Sequence, residues 1–514
     1  MLHQHGVDTT AKANDGWTQL HSVAHWGHAE IARLLLEHDA DPAAQNNEGF
    51  TALHLASNKE VACVLLEHGA STTAKTNDGS TPLHSISHWG HAEIARLLLE
   101  YGADLEAQNN DGFTAIHLAS NKEIARVLLE HGARTTAKTN DGSTPLHSIS
   151  HWGHADIAQL LLEHGADPEA QNNDGSTALH FASNKEVARV LLEHSASTTP
   201  KTNDGSTPLH SISHWGHADI ALLLLKHGAD TEARANDGTT ALHLASNKEV
   251  ARVLLEHGAS TTPKTNDGST PLHSISHWGH ADIAVLLLEH GADSEAQAND
   301  GSTALHLASN KEVARVLLEH GASTTPITRD GSTPLHSISH WGHADIAQLL
   351  FEHGADSEAQ ADDGSTALHL ASNKEVARVL LEHGASTTPV THDGSTPLHS
   401  ISHWGHADIA QLLFEHGAGS EARANDGTTA LHLASNKEVA RVLLEHGAST
   451  TARANDGSTP LHSVSYWGHA DIARLLLEHG ANPAALTNDG KTPLQVTSNA
   501  NVARVLLEHG ASPN

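Results

Sequence analysis

Segments such as 92–101 place Ile94, Ala95, Leu97, Leu98 and Leu99 at helical spacing. This broad apolar stripe predicts an amphipathic helix, with Gly102 behind it as a left-handed cap. Ahead of it, Thr81-Pro82-Leu83-His84 opens a shorter helix. Thr81 is a good N-cap, Pro82 is tolerated at the first helical position, and Gly90 marks the stop. From Ala103 to Gly112 the chain is small and polar and ends on Asp111-Gly112, a tight-turn signal. The pattern predicts helix, turn, helix and a protruding turn.

This pattern fills the chain. The triplet Asn-Asp-Gly, or a close variant, starts at positions 14, 47, 77, 110 and onward to 455 and 488, with spacing that alternates between 33 and 30 residues. A long and a short repeat thus form a 63-residue unit present eight times, the last short copy ending at Asn514. The three missing residues lie between the helices. Ser87-His88-Trp89-Gly90-His91-Ala92-Glu93 of a long repeat corresponds to Ser57-Asn58-Lys59-Glu60 of a short one. Ser57 and Glu60 stand at capping-box spacing, so Ser57 is expected to cap the second helix and leave the first one clipped.

Thirty-three residues with Thr-Pro-Leu-His followed by two helices resemble the ankyrin repeat, and the resemblance covers essentially the whole chain. It implies an all-α ankyrin-repeat solenoid of stacked helix-turn-helix units with protruding β-turn fingers. The expected organisation is a partial repeat remnant over 1–13, fifteen repeats over 14–487, and a C-terminal capping repeat over 488–514. That last copy carries Lys491, Gln495, Thr497 and Asn499-Ala500-Asn501 in place of the usual residues. Leu2 to Asp8 is similar to the tail of a short repeat, which suggests a truncated chain or the end of a longer protein.

Composition narrows the function. Acidic residues outnumber basic ones by 61 to 29, for a formal charge of −32, and such a surface repels phosphate backbones. Nucleic acid is not an expected partner. The 48 histidines are expected to offset much of that charge if they titrate near pH 6.5. With one cysteine, Cys63, no Asn-x-Ser/Thr sequon, no basic-then-apolar leader and no long apolar run, the expected setting is intracellular, without a membrane.

Histidine recurs in three places. The resemblance implies that the signature set (His84, His147, His210) bonds around the start of the first helix and to the neighbouring turn. The second set (His68, His131) follows Leu-Leu-Glu at a helix C-terminus, where a protonated ring favours the dipole. The third is the pair in His88-Trp89-Gly90-His91. Two imidazoles fall short of the three or four ligands of a zinc site, and the next pair is two repeats away, so neither a metal nor any other cofactor is expected. Phosphate-loop, Gly-x-Ser-x-Gly and His-Glu-x-x-His motifs do not occur, and the Ser, His and Asp residues recur as scaffold residues do. No enzyme is expected.

Binding to other proteins is the favoured reading. In ankyrin repeats the concave face is built from residues flanking the turn glycine and the end of the first helix. Carried onto this chain, these are Asn77, Asp78, Ser80, His88 and Trp89 with their counterparts. The ladder Trp26, Trp89, Trp152, Trp215, Trp278, Trp341, Trp404 and Trp467 then either lines a groove or packs over the gap beside each shortened repeat. Trp17, Phe50 and Phe113 replace the Ser or Thr that usually follows the turn glycine. They mark either a partner hot spot or the contact to a missing N-terminal segment. Identical rungs suit a multivalent ligand, and recent duplication produces the same pattern. The alternative function is the ligand-sensing C-terminal part of a larger signalling receptor.

Overall fold

A computed structural model describes residues 9–512, so the Leu2 to Asp8 remnant lies outside the described residues. Helices follow one another with no strand among the described residues, and the fold is an all-α ankyrin solenoid. By contact the chain divides into two units, Met1–Ser260 and Thr261–Asn514, and the same layering is found inside each.

A long repeat folds as the hydropathy pattern predicts. Pro82–Trp89 starts behind Thr81 and ends on Gly90, whose φ of +82° is left-handed; Ala92–Glu100 follows. Leu83 and Ile86 of the first helix and Ile94 and Leu98 of the second are fully buried. Each such side chain contributes on the order of 2 kcal/mol of apolar burial. No aromatic core is needed.

Short repeats lose most of the first helix. Where a long repeat has eight residues, the short one has a single 3-10 turn, as in Ala115–Leu118, Ala178–Phe181, Ala367–Leu370 and Ala430–Leu433. The second helix keeps its nine residues, as in Lys59–Glu67.

Asn58, not Ser57, caps that helix. Its side-chain oxygen accepts from the Val61 N–H at 2.9 Å, and the amide donates back to the Gly27 carbonyl of the preceding long repeat at 2.9 Å. The Ser57 hydroxyl points to the preceding layer instead and donates to the Ala24 carbonyl at 3.2 Å. Both residue types are good caps, so the choice rests on where the chain crosses between layers. The asparagine sits so close to the long repeat's glycine that a Cβ at Gly90 would lie 2.3 Å from Asn121 Nδ2. Positive φ and this contact together mean that any side chain there would be strained and would displace the asparagine cap.

Candidate protein-binding groove

The finger turns are tied into a ladder. The backbone N–H of Asn110 donates to the Asp78 carbonyl at 2.8 Å, and its side-chain amide donates to the Asn77 carbonyl at 3.0 Å. The next step repeats this, from Asn140 to Asp111 and Asn110. With the backbone so held, the finger aspartates face outward as a row. Asp78 is exposed, and its carboxylate accepts from the Thr76 hydroxyl and, at 2.9 Å, from the Ser80 hydroxyl.

The signature histidines fasten each finger to the layer before it. Thr81 N–H donates to His84 Nδ1 at 3.1 Å, and Nε2–H donates to the Phe113 carbonyl of the next repeat at 2.9 Å. His147 does the same with Thr144 and the Ser176 carbonyl, and His210 with Thr207 and the Thr239 carbonyl. Nδ1 must therefore be the acceptor, and each ring is a neutral, buried strut. Desolvation lowers their pKa values, to about 4 for His54, His117, His180 and His306, against the milder effect of the carbonyl bond. The buried set thus drops out of the expected histidine buffering of the acidic charge. In the last copy Gln495 stands in this place, its side-chain oxygen accepting from the Thr492 N–H at 2.9 Å.

The second histidine set sits at helix C-caps, with His68 Nδ1–H donating to the Val64 carbonyl and His131 Nδ1–H to the Val127 carbonyl, both at 2.8 Å. The His88 type is exposed at the groove edge. Among the described residues no three His, Cys, Asp or Glu side chains are grouped to hold a metal ion.

The tryptophans serve packing and surface at once. Trp89, Trp152, Trp215, Trp278, Trp341 and Trp404 are each 39–41% exposed. From Trp215 onward, the ring of each edges the histidine two residues on, as in Trp215 on His217 at 6.5 Å, Trp278 on His280 at 6.4 Å, Trp341 on His343 and Trp404 on His406. Trp26 and Trp467 differ, at 71% and 67% exposed, with rings turned against His25 and Tyr466.

Trp215, Trp341 and Trp404 each stand in an open recess whose wall includes a residue of the clipped helix that follows. Around Trp215 the recess measures about 480 Å³, and its lining includes Asp174, Asp204, Ser206, His214 and Leu244. Asp204, Ser206, His214 and Trp215 are the positions the ankyrin resemblance implies. Asp174 and Leu244 come from the short repeats, whose part in the groove sequence reasoning missed. Phe181 was missed as well. It replaces the leucine found at 118, 244, 307, 370 and 433, and its ring meets Trp215 at 6.2 Å and His151 at 6.4 Å. Comparing the short copies for that one exchange would have found it.

The N-terminal aromatics divide. Trp17 lies 6.0 Å from His25, which in turn edges Trp26, so these join in one cluster. Phe50 and Phe113 each pack edge-on against the histidine of their own repeat, His54 and His117, at 5.7 Å. Among the described residues no ring contact joins those two.

Among the described residues, no helix is long and apolar enough to cross a membrane. No curated protein matches the chain. A family model described as ankyrin repeats (3 copies) matches in eight overlapping segments, from residues 1–76 and 65–139 to 386–454 and 449–514, which together tile residues 1–514. Ankyrin repeats are generally protein–protein interaction modules, and with its histidine struts, finger ladder and stacked helix pairs this chain belongs to the ankyrin-repeat family.

Proposed function

We propose that the chain is a non-catalytic scaffold that binds other proteins along its concave face, through the finger aspartates and the tryptophan ladder. The half-exposed tryptophans beside open recesses carry this reading. A side chain needed only for packing would be covered, whereas 40% of Trp215 is left to solvent next to charged and polar groups. Tryptophan at the centre of such a surface is a frequent source of binding energy. The repeated rungs favour a partner that engages several of them, so that individually weak contacts add through effective concentration.

The test is a pair of measurements on Trp215→Ala and Trp341→Ala. Truncating a half-covered ring should lower stability by about 2 kcal/mol, short of the 3–5 kcal/mol of a fully buried aromatic. Capture of partners from native cell extract should fall at least tenfold. A stability loss of the full buried size with capture unchanged would return these residues to packing alone.

A further inference from the structure

Three successive recesses lie within the second unit. They surround Trp341, Trp404 and Trp467, 63 residues apart, and measure about 520, 480 and 560 Å³. Leu370 lines both of the first two, so these recesses adjoin along one trough.

Each recess brings an exposed tryptophan together with carboxylates. Asp300 and Asp330 flank the Trp341 recess together with Arg329, Asp363 and Asp393 flank that of Trp404, and Asp426 and Asp456 flank that of Trp467, where Asp489 is ion-paired to Lys491 at 2.9 Å. The paired aspartates come from adjacent fingers, one short and one long. Of the three, the Trp404 recess alone has no lysine or arginine in its wall. Asp393 accepts from the Thr391 hydroxyl and, at 3.1 Å, from the Ser395 N–H. The hydroxyl bond is the leading cause that keeps this carboxyl below its ordinary range. A carboxylate has about four acceptor positions, so capacity remains for an incoming donor. Ionised carboxylates lining one recess with an exposed indole form a receptor for a cationic side chain, by charge-assisted hydrogen bonding and cation–π attraction together.

We infer that the groove binds an extended, basic protein segment whose lysine or arginine side chains enter successive recesses. This rests on the concave-face reading and adds the partner's chemistry and period. Two helix layers of about 8–10 Å each separate equivalent recesses. An extended chain advances about 3.3 Å per residue, so the matching cations recur every five or six residues. The net charge of −32 draws such a segment in from a distance and weakens that attraction as salt is raised.

The test uses the full chain and three synthetic peptides of about 25 residues in a Gly/Ser/Ala background: four arginines at every sixth position, the same four arginines in one block, and four glutamates at every sixth position. Titration followed by tryptophan fluorescence at physiological salt should show the spaced arginine peptide binding at least tenfold tighter than the block, and the glutamate peptide not binding. Asp363→Asn with Asp393→Asn should weaken the spaced peptide about tenfold with the melting temperature retained. Equal affinity for the two arginine peptides, or undiminished binding by the double variant, overturns the inference. If no peptide binds while Trp341→Ala with Trp404→Ala abolishes capture of a partner from extract, the basic-segment inference falls and the groove reading stands. If that capture also survives, both fall.

Discussion

Long and short repeats share fingers, histidine struts and second helices, and differ by three residues at one junction. That difference makes the groove. In a long repeat the first helix runs its full eight residues and ends in an exposed His-Trp pair capped by glycine. In a short one it shrinks to a turn, so the floor drops and the neighbouring tryptophan stands beside an open recess. Uniform 33-residue repeats would fill that space with helix. The three-residue shortening thus goes with a surface feature that no single substitution could make, and the asparagine at the shortened junction bonds the two repeat types together.

The largest effect expected from perturbing this arrangement comes from acid. The signature histidines of both repeat types are buried as neutral rings, with pKa values lowered by desolvation, to about 4 in His54, His117, His180 and His306. In the unfolded chain they take up protons near pH 6.5. Below that pH the unfolded state holds more protons than the native one. The stability they confer is thus complete above about pH 6.5 and is lost as the pH falls toward 4. Each of the four is worth on the order of 3 kcal/mol across that window. The urea midpoint should fall steeply between pH 7 and 5, and an unchanged midpoint would show that these rings are not neutral struts.

Next in size is the difference between covered and uncovered layers. The helix Ala92–Glu100 packs between Lys59–Glu67 and Lys122–Glu130, and Ile94 and Leu97 are 1% and 6% exposed. The equivalent helix Ala29–Glu37 packs against Lys59–Glu67 alone among the described second helices, with Ile31 and Leu34 at 47% and 48%. Half of two aliphatic side chains left uncovered removes about 2 kcal/mol, or roughly 30-fold in local opening. Amide exchange in residues 29–37 should be faster than in 92–100 by that factor. Equal protection would mean that a long repeat does not need short neighbours on both sides.

How far this was legible in the chain follows from what kind of information each feature needs. Helices, caps and finger turns rest on local chemistry, so Thr81, Pro82, Gly90 and the Leu-Ile stripe predict them directly. Asp78, His88 and Trp89 were placed on the concave face because the family resemblance supplies that geometry. The choice between groove and packing for the tryptophans was not legible, since it depends on how much of the ring a neighbouring layer covers. The recess itself was hidden for the same reason: Leu244 and Asp174 reach it only once a short repeat stacks on a long one. The spacing of Ser57 to Glu60 predicts Ser57 as the cap, but spacing does not show that its hydroxyl turns toward the layer before.

The junction can be probed by removing its asparagine. Asn247 caps the helix Lys248–Glu256 through the Val250 N–H at 2.9 Å and donates to the Gly216 carbonyl at 2.8 Å. Asn247→Ala deletes a cap and an interlayer bond, about 1 kcal/mol each, for a loss of about 2 kcal/mol. His217 makes no side-chain cap on the corresponding long-repeat helix Ala218–Lys226. His217→Ala should therefore cost less than Asn247→Ala in the same urea titration. Equal losses would mean that the short junction is no more dependent on its cap than the long one.

The smallest effect is the sharpest, because it should change sign between the two repeat types. One serine, three residues after the signature histidine, occurs in both. In short repeats its hydroxyl has a partner: Ser246 Oγ donates to the Ser213 carbonyl at 3.3 Å. In long repeats the equivalent Ser213 is fully buried, and its own hydroxyl has no hydrogen-bond partner. The same is true of Ser87, Ser150, Ser276 and Ser339. A buried hydroxyl without a partner carries its desolvation penalty uncompensated, and replacing it by a methyl group removes that penalty. Ser213→Ala should raise stability by about 1 kcal/mol, while Ser246→Ala, which leaves a bond unmade, should lower it by about as much. Urea midpoints moving in the same direction for both would mean that the clipped first helix has not given this serine a different role in the two repeat types.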